Sequence, residues 1–194
     1  MTDDLKTHLG RYLQAGRDAV LWKLEDLGEY DIRRPLTPTG TNLLGLVKHL
    51  ASVEIGYFGE TFARPFPQTL PWLEEDDAHA DLWATPDESR DYITDLYRSV
   101  WDHSDTTIRD LDLDAEGNVP WWPTERSTVT LGQILTHMVA ETHRHAGHAD
   151  IVREGIDGAI GMRQGNDNLG RDDEQSWSDY FDLVERNARK AAGH

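Results

Sequence analysis

The sequence predicts an all-α protein, a four-helix bundle with an additional C-terminal helix. Three observations carry that prediction. Apolar residues recur at helical spacing in five segments, and the segments are bounded by helix start and stop chemistry. No run alternates apolar and polar residues as a half-buried strand would. The 194 residues suit one domain, 1–194, with a core of ordinary size.

Residues 3–27 read as the first helix, with Leu5, Leu9, Tyr12, Leu13, Val20, Leu24 and Leu27 in helical register and Gly28 as its end. Arg33 to Gly40 is a connection, because Pro35 and Pro38 resist helix. Thr41 caps a second helix over 42–62 that stops before Pro65 and Pro67. Arg64 to Ala84 is loop-like and carries Pro71-Trp72 and the acidic run Glu74-Glu75-Asp76-Asp77, read as solvated surface. Thr85 as cap, Pro86 at the first helical position and Glu88 completing a capping box open a third helix that runs to Leu111. Asp112 to Val129 is a second loop and sets Trp121-Trp122 between two prolines. Thr130, with Gln133 three residues on, caps a fourth helix over 131–154, closed by Gly155. A glycine-rich link leads to a fifth helix over 173–191, signalled by Asp172, Asp173, Trp177, Tyr180, Phe181 and Val184.

Composition narrows the function. With 36 acidic against 19 basic residues, the net charge of −17 repels a phosphate backbone, and no Lys/Arg stripe offsets it; nucleic acid is not an expected partner. Acidity also argues against an anionic membrane surface, and no apolar run approaches the roughly 18–20 residues of a membrane span. The N-terminal residues are acidic and lack an apolar signal region, so the cytoplasm is the expected compartment. The absence of cysteine excludes disulfides and protein thiolates, leaving nitrogen and oxygen as the only metal ligands. A homodimer is compatible with the sequence. No GxGxxG, P-loop, GxSxG or HExxH motif is present.

Chemistry concentrates in the fourth helix. At about 100° per residue, with His137 at zero, Glu141 lies at about 40°, His145 at about 80° and His148 at about 20°. Ile134, Val152 and Met138 fall on or beside the same arc, so the polar cluster is expected on the face that enters the core. An unpaired carboxylate there is costly, and a cation resolves the conflict. Glu141 and His145, spaced i,i+4, can reach one ion; His49, on a face with Leu46, Val53 and Tyr57, is the best third ligand. Gly45 and Gly56 flank that face and remove side-chain bulk beside the histidine. His137 and His148 are candidates for a fourth ligand, a supporting partner or an acid–base group. Trp121, Trp122 and Tyr57 are candidate walls of a small-molecule pocket. His143 and Arg144 point elsewhere, and His8, His79, His103 and His194 sit in exposed or terminal contexts.

At these residues the chain resembles the DinB-like superfamily, also called the YfiT or bacillithiol-transferase-like four-helix proteins, over nearly its whole length. The resemblance rests on Leu46-Val47-Lys48-His49-Leu50 and on the segment from Glu141 through His145 and His148 to Ile151. Pro71-Trp72, Trp83-Ala84-Thr85-Pro86 and Gly155-Ile156-Asp157-Gly158 are similar to the actinobacterial branch that holds mycothiol-dependent S-transferases and maleylpyruvate isomerase. In much of the superfamily three histidines bind a divalent metal; the matching positions here are His49, Glu141 and His145. Glu141 replaces the commoner histidine, a variation also found in the mycothiol-dependent isomerase branch.

The resemblance implies a divalent metal, zinc foremost with nickel or iron as alternatives, and a low-molecular-weight thiol such as mycothiol as cosubstrate. The implied reaction is attack of the thiolate on an electrophilic small molecule, with His148 or His137 managing protons. Two histidines and a carboxylate leave one position of a tetrahedral zinc open, as catalytic zinc sites do. The same three residues form the facial set of a non-haem iron enzyme. A metal-stabilised bundle without catalysis, serving in stress response or binding a hydrophobic ligand, also accommodates them, as does a bundle whose histidines simply hydrogen-bond to Glu141.

Overall fold

The computed structural model describes residues 2–166, 169–170 and 173–193; Asp172 and His194 therefore lie outside the described residues. The fold is predominantly helical. Helix α1 spans Thr2–Trp22, α2 Glu29–Arg33, α3 Leu43–Glu54, α4 Arg90–Asp110, α5 Thr124–Ser127, α6 Leu131–Asp157 and α7 Glu174–Ala191. Helix α1 packs along α6, and α3 packs against both α4 and α6. One part of the core gathers Val20, Leu44, Val47, Leu50, Ile93 and Val100; another gathers Leu13, Phe58, Val119, Ile134, Leu135 and Met138.

The departures from the sequence expectation have tertiary causes. The first helix ends at Trp22 rather than residue 27, although Leu24 and Leu27 are buried as their spacing requires. The buried Arg153 guanidinium takes the carbonyls of Lys23 and Glu25, and Arg90 takes that of Leu27, so this stretch leaves the helical ladder. Asp26 turns it in the left-handed region at φ 61°. Gly28 then precedes α2, a turn of helix missed by periodicity. Leu5 and Tyr12, expected on the apolar face of α1, are exposed.

Asn42, not Thr41, caps α3, its side-chain oxygen accepting from Gly45 N at 2.7 Å. The helical path to residue 62 is as expected, but α3 passes into a π-helical turn, Ile55–Gly59, and a 3-10 turn, Glu60–Phe62. The third long helix begins at Arg90 with Ser89 as its cap, four residues beyond Pro86. Half of the anticipated capping box is present, since Glu88 Oε2 accepts from Thr85 N at 2.7 Å. That carboxylate also binds the buried Lys48 ammonium, and Arg33 takes the Glu88 carbonyl, so the turn is tied to its neighbours instead of propagating.

The loop after α4 is not strand-free. Strand β1, Glu116–Asn118, pairs antiparallel with β2, Thr128–Thr130. Three residues are too few for alternation to register, and Gly117 is needed because a Cβ there would meet Phe62 at 2.7 Å. Thr130 caps α6 as its sequence context predicts, with Gln133 N donating to its hydroxyl. Helix α6 runs through Gly155 to Asp157, because Arg153 and Asp157 pair one turn apart and Gly158, at φ 78°, supplies the left-handed stop. Helix α7 has Asp173 as its cap.

Candidate metal centre

His49 is largely buried on α3, between the fully buried Val47 and Leu50 that anchor the helix in the core. Glu141 and His145 come from successive turns of α6, which packs against α3. The structure brings all three together: one ligand atom from each lies within 4.8 Å of the others. The His49 and His145 rings meet edge-on at 4.9 Å between centroids, and His145 Nε2 is 2.9 Å from Glu141 Oε1. The arc thus lies at the margin of the core rather than inside it, as Glu141, His145 and His137 are only partly buried and His148 is exposed.

A divalent cation fits this donor set. Burial, reinforced by the neighbouring His49, lowers the His145 pKa below its ordinary value, the Glu141 carboxylate offsetting only part of the effect. The neutral imidazole that results is the metal-binding form. His145 Nδ1 is buried without a hydrogen-bond partner. Glu141 has no lysine or arginine paired with it among the described residues. A second carboxylate stands behind the first set, with Asp81 Oδ2 at 2.8 Å from His49 Nδ1. Two carboxylates and two imidazoles, with no lysine or arginine paired to either carboxylate among the described residues, make a site that attracts a cation.

His137 and His148 do not join the three-residue group. His148 stands beside His145, at 5.3 Å between centroids, on the solvent side. His137 packs into an aromatic cluster, 4.7 Å from Tyr57 and 5.7 Å from Trp122. Trp122 Nε1 donates to the Tyr57 hydroxyl at 3.2 Å, and Trp121 also packs edge-on against Tyr57. A cleft of about 300 Å³ opens here, lined by Ser52, Val53, Gly56, Tyr57, Asp81 and Trp121 among others. It carries Tyr57 and Trp121 in its wall, with Trp122 packed behind. A larger groove of about 510 Å³, between α1 and α4, shares no residue with the triad or this cleft.

The model of the mycothiol-S-transferase family matches residues 8–158. The chain belongs to the mycothiol-S-transferase family. No curated protein and no solved structure matches it significantly. The matched span runs from α1 to the end of α6 and contains every residue of the triad and of the aromatic cluster; α7 lies beyond it. Membership agrees with the DinB-like resemblance and its mycothiol-dependent branch.

In this mycothiol-S-transferase family member, the space beside Gly45 and Gly56 is not vacant. The Leu82 carbonyl lies where a Gly45 Cβ would be, and the Trp121 ring would meet a Gly56 Cβ at 2.6 Å. The glycines admit the chain's own loops, not a ligand. Sequence reasoning missed Asp81, Ser52 and Glu60. Ser52 lies one turn beyond His49 and carried a helical signal; Asp81 sits 32 positions away on an irregular segment, where no spacing rule reaches. His103, expected in an exposed context, is partly buried with its Nε2 at 2.8 Å from the Arg64 carbonyl, and His143 Nε2 lies at 2.9 Å from that of Tyr12. Among the described residues, no helix is long and apolar enough to cross a membrane.

Proposed function

We propose that the chain is a divalent-metal-dependent thiol S-transferase that joins a mycothiol-type thiol to an electrophilic small molecule. The observation that carries this reading is the meeting of His49, Glu141 and His145 beside the aromatic cleft, within a chain of the mycothiol-S-transferase family. His49, Glu141 and His145 would hold the metal. When bound, such an ion lowers the proton affinity of a thiol that reaches it, so that the thiolate prevails near neutral pH.

The remaining work falls to the chain's own residues. Tyr57 and Trp121, aromatic and mainly apolar, wall the electrophile's side of the cleft. His148, exposed and adjacent to His145, accepts the thiol proton and passes it to solvent. His137, locked between Tyr57 and Trp122, orients the wall and is the alternative proton carrier. The sulfur–hydrogen bond breaks and a sulfur–carbon bond forms. The electrophile's leaving group departs with its electron pair, or an activated double bond takes up a proton from solvent.

Transfer of mycothiol across a panel of electrophiles tests the reading. Turnover should appear with metal-replete protein, vanish on chelation and return when metal is restored. Absence of transfer across the panel, together with no affinity for the thiol, would remove it. Two histidines and one carboxylate also suit iron(II), so metal analysis of protein purified without chelators decides between zinc, nickel and iron.

A further inference from the structure

Asp81 stands beside the triad but does not come from a bundle helix. It belongs to the irregular segment 74–89, yet its carboxylate reaches His49 Nδ1 at 2.8 Å, and both side chains are four-fifths buried. Such a loop has no ladder of its own to hold it. The adjoining residues are instead tied to α3, the helix that carries His49. Asn42 Nδ2 donates to the Leu82 carbonyl at 3.0 Å, and Lys48 Nζ donates to the Trp83 carbonyl at 3.0 Å. Gly45, one turn before His49, has no Cβ, and the Leu82 carbonyl occupies that space. Lys48 also binds Glu88 Oε2, which caps the Thr85 amide and closes the segment at its far end. Asn42, Gly45, Lys48 and His49 thus form one stripe, and the segment lies along it.

We propose that Asp81 is a positioning residue for the metal centre and that its attachment to α3 through Leu82 and Trp83 keeps it in place. An acceptor at Nδ1 fixes the proton on that nitrogen, sets the rotation of the ring and reserves Nε2 for the metal. Its negative charge raises the donor strength of Nε2. Neither effect requires Asp81 to touch the metal. The inference rests on the reading of His49, Glu141 and His145 as the metal site, and it adds that the site's affinity is set partly by a loop that a list of ligands omits.

The test uses the full chain and zinc, with affinity measured by competition against a chelator for wild type, H49A, D81A, D81N and G45A. Nitrogen-detected NMR of the metal-free proteins, above the ordinary imidazole titration range, reports the His49 tautomer. Asp81→Ala should weaken zinc binding roughly 10–100-fold with unchanged helical content. It should also convert His49 from a single Nδ1–H form to a mixture of tautomers, a change that a purely structural role would not produce. Asp81→Asn keeps an oxygen acceptor without its charge and should fall between wild type and Asp81→Ala. Gly45→Ala, which forces the Leu82 carbonyl away, should weaken binding in the same direction without altering any ligand.

If Asp81→Ala binds zinc as wild type does while His49→Ala does not, the positioning role is overturned and the metal site stands. If the wild type itself binds no zinc, both fall. A folded Gly45→Ala protein with wild-type affinity would overturn the part assigned to the α3 attachment.

Discussion

His145 stands where burial, charge and coordination meet. Its pKa is lowered first by burial and next by His49, so between its folded value and the ordinary imidazole value of about 6.5 the unfolded chain takes a proton that the folded chain refuses. The stability contributed by the neutral ring is therefore complete above about 6.5 and is lost as pH falls through the folded value. Urea unfolding of metal-free protein should give decreasing stability across that window, and His145→Gln should flatten the slope. An unchanged slope in His145→Gln would assign the pH dependence to other groups. Gly56 makes a second prediction at this scale. A methyl group there pushes on the far edge of Trp121, an indole that is half exposed and able to move. Gly56→Ala should leave melting temperature nearly unchanged, shift tryptophan fluorescence and raise KM for the electrophile more than it lowers kcat.

At the scale of elements, what the sequence made legible was what local chemistry decides. The Thr130 cap, the helical path over 42–62 and helix α7 follow from spacing and capping residues near in sequence. The convergence of His49 with Glu141 and His145 was also legible, because a carboxylate and histidines on one arc need a partner from another helix. What escaped was set by side chains distant in sequence. Arg153 and Arg90 end α1 early by taking the carbonyls of Lys23, Glu25 and Leu27, and Lys48 and Arg33 hold the Thr85–Glu88 turn out of α4. Helix α6 illustrates both cases: the start was readable, but its last turn depends on the Arg153–Asp157 pair and on Gly158 rather than Gly155. Gly158→Ala should destabilise the fold by about 1 kcal/mol, since a Cβ is disfavoured at positive φ, and Gly155→Ala, inside the helix, should stabilise it slightly. Thermal unfolding of the two variants checks the opposite signs.

The whole molecule joins its helices by a buried charge as well as by apolar packing. Arg17 on α1 and Glu54 at the end of α3 form an ion pair at 2.7 Å with both side chains almost wholly buried, and Arg17 extends to the exposed Asp105 on α4. Burial opposes the guanidinium charge, but Glu54 and Asp105 together outweigh it and raise the Arg17 pKa. Removing one partner strands the other in a site without water. Arg17→Met should therefore cost about 3–5 kcal/mol, and the double replacement of Arg17 by Met and Glu54 by Leu should recover much of that loss. Denaturant unfolding of the single and double variants would contradict this if the two losses simply added. Arg17 thus joins α1 and α4 to the helix that carries His49.

Metal content tests the central claim most directly. Wild-type protein should hold close to one divalent ion per chain, and His49→Ala and His145→Ala should each lose most of it while remaining folded. Full occupancy in both variants would contradict the account, since the ion would then be bound elsewhere.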